Sequence, residues 1–232
     1  AWYSPTTNAI YWARPTGVYD AAGAGSALEV FTNTWANSAA GLVYNPETDF
    51  SRYVHEGSGP EFIHDVARPV PHTVLHSFSL SDVNPGWSDW RTGIGYDYTT
   101  GHYFLTDYGG GGSHHDNIAE IDPAGRVLNA WETFGTSNDS YDGSVISNTL
   151  DIAVVSGNPP RYFATALFDG GLVHELNLLK AGQFVSGTWG TVMTCTVPGL
   201  SDNAGIDYDA QNGVLYHSSW SNDTVVVTDL RC

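Results

Sequence analysis

Apolar and polar positions alternate in short segments along this chain, and one segment recurs. It is an apolar stretch that ends in a turn of the Asp/Asn-x-x-Thr-Gly kind, which favours a tight reversal. Its five copies, the fourth of them weaker, lie 41, 52, 58 and 54 residues apart and contain Tyr3, Tyr44, Tyr96, Val154 and Tyr208. Repeats of about 40–50 residues with several short strands each are typical of β-propeller blades. The pattern therefore predicts an all-β propeller.

Each repeat predicts further strands after this phrase. An aromatic-rich second strand and then a third follow, as at 103–105 and 117–121, where period-2 patterning is bounded by turn residues. A fourth strand is predicted in three units, over 73–78, 126–131 and 188–197. Unit one leaves little room for a fourth strand, and unit five stops after its third. No segment shows persuasive helical periodicity.

The repeats make up one predicted β-propeller domain over the whole chain. The unit boundaries fall at approximately 1–40, 41–92, 93–150, 151–204 and 205–232. A five-bladed ring is the simplest interpretation, and the alternative is a six-bladed or incomplete ring whose missing strands lie outside this chain. Exposed strand edges pair with other chains. We therefore expect a partner, or residues outside the chain, to complete the three-stranded last unit.

The charge balance narrows the classes of partner. The chain has 25 Asp and Glu against 8 Lys and Arg, which gives a net charge of −17. Nucleic acids and anionic membranes are bound by clustered Lys and Arg, so both classes are disfavoured. No apolar stretch approaches the roughly 18 residues that a spanning helix needs. The sequence predicts a protein or carbohydrate partner instead.

Several features favour an exported protein, either extracellular or periplasmic. The chain starts at Ala1 and not at Met, which suggests a mature form after removal of a leader. Cys195 and Cys232 are expected to form one disulfide that anchors the C-terminal strand to unit four, with two separate thiols as the alternative. Asn138 and Asn222 stand in Asn-x-Ser/Thr sequons and are candidate glycosylation sites.

A site is expected where the loops that lead into the first strands meet the loops that join second and third strands. Oxygen ligands from several loops would suit calcium, which takes six to eight of them. The candidate metal ligands are Asn37, Asp89, Asn148, Asp202 and Asn203. The candidate ligand-binding residues are Trp35, Trp87, Trp90, Asp107, His114 and Trp220. The alternatives are Asx turns for the polar residues and packing between blades for tryptophans.

Other polar clusters are interpreted structurally. His114-His115-Asp116 follows four glycines, which favours a polar hairpin loop over a transition-metal site because adjacent side chains diverge on a strand. His55-Glu56 and His64-Asp65 are interpreted as surface pairs. The sequence contains no nucleophile elbow and no spacing that suggests a triad. We therefore assign no catalytic residue.

The third repeat resembles a known kind of blade. Gly93–Asp107, continuing to Ile121–Leu128, looks like the unit of NHL-type and gluconolactonase-like propellers. The resemblance implies a propeller with any site at the mouth of its central channel. Lactonase-like members hold a central divalent cation with Glu, Asn and Asp. The resemblance implies that Asp89, Asn148 and Asp202 would take those roles here.

Two hypotheses about function follow. The first is a non-enzymatic extracellular binding or scaffold propeller, because 8 Trp and 13 Tyr suit contacts to proteins or carbohydrates. The second is a divalent-metal-dependent hydrolase, lactonase- or esterase-like, in which Asp89, Asn148 and Asp202 hold the metal. Its general base would be His114 or Glu56. The first is favoured, because ligand-type residues are present without a recognisable catalytic set.

Overall fold

The structure is a computed structural model, and it describes chiefly the strands and the tight turns. The described residues are 2–4, 9–14, 17–21, 28–32, 38–45, 48, 50–56, 62–67, 74–79, 91–107, 117–132, 149–166, 171–178, 190–200, 205–210, 212–219 and 224–231. Within these ranges there are nineteen β strands and no helix. None of the described segments is a helix that could cross a membrane. The all-β prediction is confirmed.

The strands form antiparallel sheets, each of which follows the chain order from its first strand outward. The first sheet contains β1 (Trp2–Ser4), β2 (Ala9–Arg14), β3 (Gly17–Ala21) and β4 (Leu28–Thr32). The second contains β5 (Ser38–Asn45), β6 (Phe50–Glu56), β7 (Phe62–Ala67) and β8 (Val74–Ser79). The expectation of little room for a fourth strand in unit one is therefore wrong. The strand was missed because β4 is short and has Glu29 within its apolar run.

The remaining sheets repeat this order. The third contains β9 (Arg91–Asp97), β10 (His102–Asp107), β11 (Asn117–Ile121) and β12 (Val127–Glu132). The fourth contains β13 (Thr149–Val155), β14 (Arg161–Ala166), β15 (Leu172–Asn177) and β16 (Gly190–Thr196). Among the described residues, the fifth contains β17 (Gly205–Asp209), β18 (Val214–Ser218) and β19 (Val225–Asp229). The three-stranded last unit is as expected.

The first strands of the sheets neighbour one another. β1 contacts β5, β5 contacts β9, β9 contacts β13, β13 contacts β17, and β17 contacts β1. The approach is close enough to require glycine: a Cβ on Gly41 of β5 would lie 2.9 Å from the Cα of Gly93 in β9. No side chain fits at that distance, which explains the glycine at this position of the second unit.

The turn after the phrase forms as its sequence predicts. Asp97 Oδ1 accepts a hydrogen bond of 2.9 Å from the Thr99 N–H, and its backbone carbonyl accepts one of 2.8 Å from Gly101. Gly101 has a φ of 73°, which glycine adopts readily. Asp209 repeats the arrangement with Asn212 and Gly213. These carboxylates are buried parts of turns, so their role is structural.

The hydrophobic core lies between successive sheets. One cluster joins the third and fourth sheets through Phe104, Trp131, Ile152 and Tyr162, with the rings of Phe104 and Tyr162 5.0 Å apart. Similar clusters join the second sheet to the third and the fourth to the fifth. Face-to-face packing of consecutive sheets is how propeller blades bury the apolar side chains that alternate along their strands.

Candidate functional site

The structure leaves most of the predicted site residues untested. Asp107 at the end of β10 pairs in register with Arg91 of β9 and Asn117 of β11, which places it where both neighbouring strands begin. The other predicted ligand-binding and metal-binding residues lie outside the described ranges, as do both sequons: Trp35, Trp87, Trp90, His114, Trp220, Asn37, Asp89, Asn148, Asp202, Asn203, Asn138 and Asn222. Within the described ranges, no three His, Cys, Asp or Glu side chains are grouped to hold a metal. These assignments stay predictions.

The predicted disulfide involves one described cysteine. Cys195 lies in β16, and its Sγ is 3.9 Å from the backbone carbonyl oxygen of Arg231. Arg231 precedes Cys232 in the chain, and Cys232 itself lies outside the described residues. The C-terminal segment therefore runs beside β16, as the predicted pairing requires. The Cys195–Cys232 bond stays a prediction that this proximity favours.

Asp151 is a buried carboxylate that ties three sheets together. Its Oδ1 accepts hydrogen bonds from the N–H groups of Ile94 and Ile152, at 3.1 Å and 2.9 Å. Its Oδ2 accepts one of 3.0 Å from the N–H of Ile206. The donors belong to β9, β13 and β17, which are first strands of three consecutive sheets. Burial raises the pKa of this carboxyl to about 6, although the backbone donors favour its ionised form.

Asp151 replaces a glycine of the repeated phrase. It stands three residues before Val154, and Gly41, Gly93 and Gly205 stand three residues before the equivalent tyrosines. Its carboxylate reaches the N–H of the residue that follows the glycine in each neighbouring first strand. A buried carboxyl of raised pKa is a common mark of an active site. Here both oxygens are occupied by backbone donors, so we assign Asp151 to the framework.

A buried ion pair joins the second sheet to the third. Arg52 Nε donates to Asp65 Oδ1 at 2.6 Å, and Arg52 Nη2 donates to Asp65 Oδ2 at 2.8 Å. The same Nη2 donates to the Pro123 carbonyl at 2.7 Å, and the guanidinium lies 4.0 Å from the centre of the Tyr103 ring. The fourth and fifth sheets are joined similarly: Arg161 pairs with Glu175 and donates to the Leu230 carbonyl.

These contacts overturn the interpretation of His64-Asp65 as a surface pair, because both residues are buried. His64 Nδ1 lies 2.7 Å from Ser77 Oγ on the adjacent strand, and Asp65 faces Arg52. Ser77 lies 13 residues from His64 in the sequence, and Arg52 lies 13 residues from Asp65. A polar dipeptide gives no sign of partners that only the pairing between strands brings near.

Two further buried histidines lie in β15 and β18. His174 lies 3.0 Å from Thr194 Oγ1, and His217 Nε2 lies 2.8 Å from Thr228 Oγ1. Desolvation lowers the pKa of His217 to about 4. Its Nδ1 is buried and has no hydrogen-bond partner within the described part of the chain. These histidines bond hydroxyl groups of neighbouring strands, so we assign them to structure.

The fifth sheet has a different outer strand from the other four. β19 is paired with β18 alone within the described residues, whereas the third strand of every other sheet is covered by a fourth. Exposed and half-buried side chains alternate along β19. Val225 is 40% exposed and Val227 is 52% exposed. We call the outer side of Val225–Asp229 the β19 edge, and it is the candidate contact surface.

Comparison with known proteins identifies the fold. No protein-family model and no curated protein matches the sequence. A structure of a nidogen/laminin complex matches with a TM-score of 0.60 and 12% identity, over 99% of this chain and 74% of that chain. A protein of unknown function from Bacteroides caccae gives 0.59 and 16%, over 98% of this chain and 76% of that one.

An enzyme is among the similar structures as well. PQQ-bound aldose sugar dehydrogenase from Streptomyces coelicolor has a TM-score of 0.58 and 12% identity, over 99% of this chain and 76% of that chain. The neighbours therefore include both a protein complex and an enzyme, and at these identities they show the β-propeller fold alone. The propeller expected from the repeats is confirmed.

Proposed function

We propose that this chain is a non-enzymatic, exported binding propeller of five blades that contacts a protein partner through the β19 edge. The observation that carries the proposal is the three-stranded fifth sheet with its exposed valines. Exposed apolar groups beside backbone groups that no described strand pairs with are a site for contact with another chain. The nidogen/laminin structure, a protein complex, is one of the propeller-like structures similar to this chain.

The five-bladed ring is supported by the order of contacts. Each first strand contacts the first strand of the next sheet, and β17 contacts β1. Asp151 strengthens three of these strands by bonding to β9 and β17 from β13. A ring built in this way is a rigid support for a surface at its rim.

Export is supported by composition and by the environment of one cysteine. Lys and Arg number only 8 in a chain of 232 residues. Cys195 Sγ lies near the backbone of Arg231, beside the second cysteine of the sequence. Disulfides persist in oxidising compartments and are rare in the cytosol. Mass spectrometry of peptides digested without reductant would show whether the pair is bonded.

The binding proposal is tested with arrays of purified extracellular proteins and of glycans. We expect the labelled wild-type chain to bind protein, and a Val225→Lys/Val227→Lys double variant to lose that signal. Leu75→Lys is the matched control, because Leu75 is 57% exposed on β8, the outer strand of another sheet. Binding only to glycans, or protein binding that survives the double variant, would contradict the proposal.

A further inference from the structure

The outer strands of the four complete sheets share an irregularity. In each of them the register between the third and fourth strands shifts once, and one residue of the fourth strand is left without a partner. These extra residues are Val30, Leu75, Leu128 and Val192. Such β-bulges twist an edge strand away from regular pairing and so discourage the addition of another strand.

β19 has no such protection. It pairs with β18 without a register shift over five consecutive residues, from Val214–Asp229 to Ser218–Val225. The outer strands of the four complete sheets are therefore bulged, whereas β19, the outer strand of the three-stranded sheet, is regular. A regular edge strand is a template for a further strand.

The backbone of β19 offers hydrogen-bonding groups at this edge. The Ser219 N–H donates to the Thr224 carbonyl at 2.9 Å, which makes these residues a hydrogen-bonded pair of the β18–β19 ladder. In an antiparallel ladder, hydrogen-bonded and non-hydrogen-bonded pairs alternate. The N–H and carbonyl groups of Val225, Val227 and Asp229 therefore point away from β18. These are also the residues with exposed side chains.

We propose that the β19 edge takes up an extended segment of a separate protein as an antiparallel fourth strand. This inference rests on the proposed binding function and specifies its mode. The incoming strand would pair with the outward groups of Val225 and Val227. It would thereby complete a four-stranded sheet like the other four.

The third sheet indicates the chemistry of the incoming strand. Matching of the strand registers places Val227 at the position of Glu120 and Asp229 at that of Asp122. Arg126, at the start of the segment that becomes β12, donates from Nε to Asp122 Oδ2 at 2.7 Å. A strand added to β19 would likewise bring its N-terminal residue near Asp229, whose carboxylate accepts hydrogen bonds from the exposed Arg231 in the free chain. We therefore expect a largely apolar strand, like β12, preceded by an Arg or Lys that competes with Arg231 for this carboxylate.

Overall charge argues against a second copy of this chain as the occupant. Each copy carries a net charge of −17, so association of two copies brings like charges together. A basic segment of another protein would be attracted to the same surface. Sedimentation of the wild-type chain tests this choice, and a dimer that Val227→Pro dissociates would overturn it in favour of self-association.

The probe is a labelled synthetic peptide with the sequence of residues 126–132, which copies this chain's own β12. The equivalent register places its Asn129 opposite Val227 and its Trp131 opposite Val225. We expect saturable binding below about 1 mM, measured by fluorescence anisotropy. N-methylation of the Asn129 amide, which would face β19, should weaken binding at least about tenfold, as loss of a backbone hydrogen bond predicts.

Two controls fix the mode of binding. N-methylation of the Ala130 amide, which would point away from β19, should change affinity less than about twofold. A peptide with Arg126→Glu should bind more weakly than the original at low ionic strength and approach it at high salt. Absence of saturable binding of the original peptide, or equal weakening by the two methylations, would overturn strand addition.

The protein side is tested with two substitutions at one position. Val227→Pro removes an N–H that points away from β18, so the β18–β19 ladder is retained. It should reduce peptide binding at least about tenfold, whereas Val227→Thr, which keeps the N–H and the branched shape, should not. An array signal that Val225→Lys/Val227→Lys abolishes and Val227→Pro leaves intact would overturn strand addition while the binding function stands.

Discussion

A single change within a repeated phrase gives this chain an unusual buried group. Gly41 allows its strand to come close to Gly93 of the next first strand, and the fourth unit has Asp151 where the second, third and fifth units have Gly41, Gly93 and Gly205. The side chain uses the space beside two glycine-containing strands and accepts three backbone hydrogen bonds. Alignment of the repeats on Tyr44, Tyr96, Val154 and Tyr208 shows this substitution. Which backbone N–H groups donate to the carboxylate follows only from the arrangement of the sheets.

The first prediction concerns Asp151 and pH. Its pKa of about 6 in the folded state lies above the ordinary value of 3.8 for an aspartate, so the folded protein binds this proton more tightly than the unfolded chain. The stabilisation is complete below about pH 4 and is lost as the pH rises to about 6, a change of about 3 kcal/mol. Urea unfolding across this range should show that loss in the wild-type protein relative to Asp151→Asn. Parallel pH profiles for the two proteins would contradict it.

The second prediction concerns His217 and has the opposite sign. Its pKa of about 4 lies below the ordinary value of 6.5, so the folded protein disfavours the charged ring. The neutral ring's contribution to the free energy of unfolding is present above about pH 6.5. It is lost as the pH falls toward 4, again a change of about 3 kcal/mol. Relative to His217→Gln, the wild-type free energy of unfolding should therefore rise with pH in this window. An unchanged difference between the two proteins would rule out a buried neutral histidine.

The two groups largely offset each other in the wild-type protein between pH 4 and 6.5, because their shifts have opposite signs. Each single substitution should therefore make stability more dependent on pH. Neither residue was a predicted site residue, since nothing in a single sequence reports burial. The nearest sequence signal for His217 is its place directly after the apolar run Val214-Leu215-Tyr216.

Among the strands, the repeated phrase and its turn were predictable, whereas partners across strands were not. The Asp97 turn forms from residues adjacent in sequence, so local chemistry determined it. Arg52 and Asp65 meet because β6 and β7 pair in register, and Arg52 then reaches Pro123 in the next sheet. Such contacts depend on the packing of sheets, which no local pattern encodes.

The third prediction tests this buried ion pair. Arg52→Met should lower the free energy of unfolding by about 3–5 kcal/mol, because it leaves the buried Asp65 carboxylate without its cation. The Arg52→Met/Asp65→Leu double variant should recover much of this loss, since it removes both charges together. Urea denaturation of the single and double variants measures the difference.

The matched control for this cycle is Arg126→Ala. Arg126 also pairs with an aspartate, at 2.6 Å, but its side chain is 80% exposed. Exposed pairs contribute at most about 1 kcal/mol. The prediction would be contradicted if Arg126→Ala lowered the free energy of unfolding as much as Arg52→Met does. It would also be contradicted if the double variant were no more stable than Arg52→Met. Either result would show that burial of the ion pair does not determine its contribution to stability.

For the molecule as a whole, period and composition predicted the propeller because the repeats specify the sheets that stack around one another. The sequence did not reveal which edge is left regular. That feature depends on the difference between strand pairing with a register shift, as at Leu75 of β8, and pairing without one, as in β19. The predicted loop site, in contrast, depends on side chains outside the described residues and needs solution experiments.

The fourth prediction concerns calcium at this loop site. If Asp89 and Asp202 help to hold calcium, chelation should lower the melting temperature, because an ion at 100 times its dissociation constant stabilises the fold by about 2.7 kcal/mol. An Asp89→Ala/Asp202→Ala variant should no longer respond to the chelator, and elemental analysis should show less calcium. Val227→Thr is the control and should respond like the wild type. Under the binding proposal, neither form hydrolyses lactones or esters; hydrolysis that requires these aspartates would instead establish the metal-dependent hydrolase.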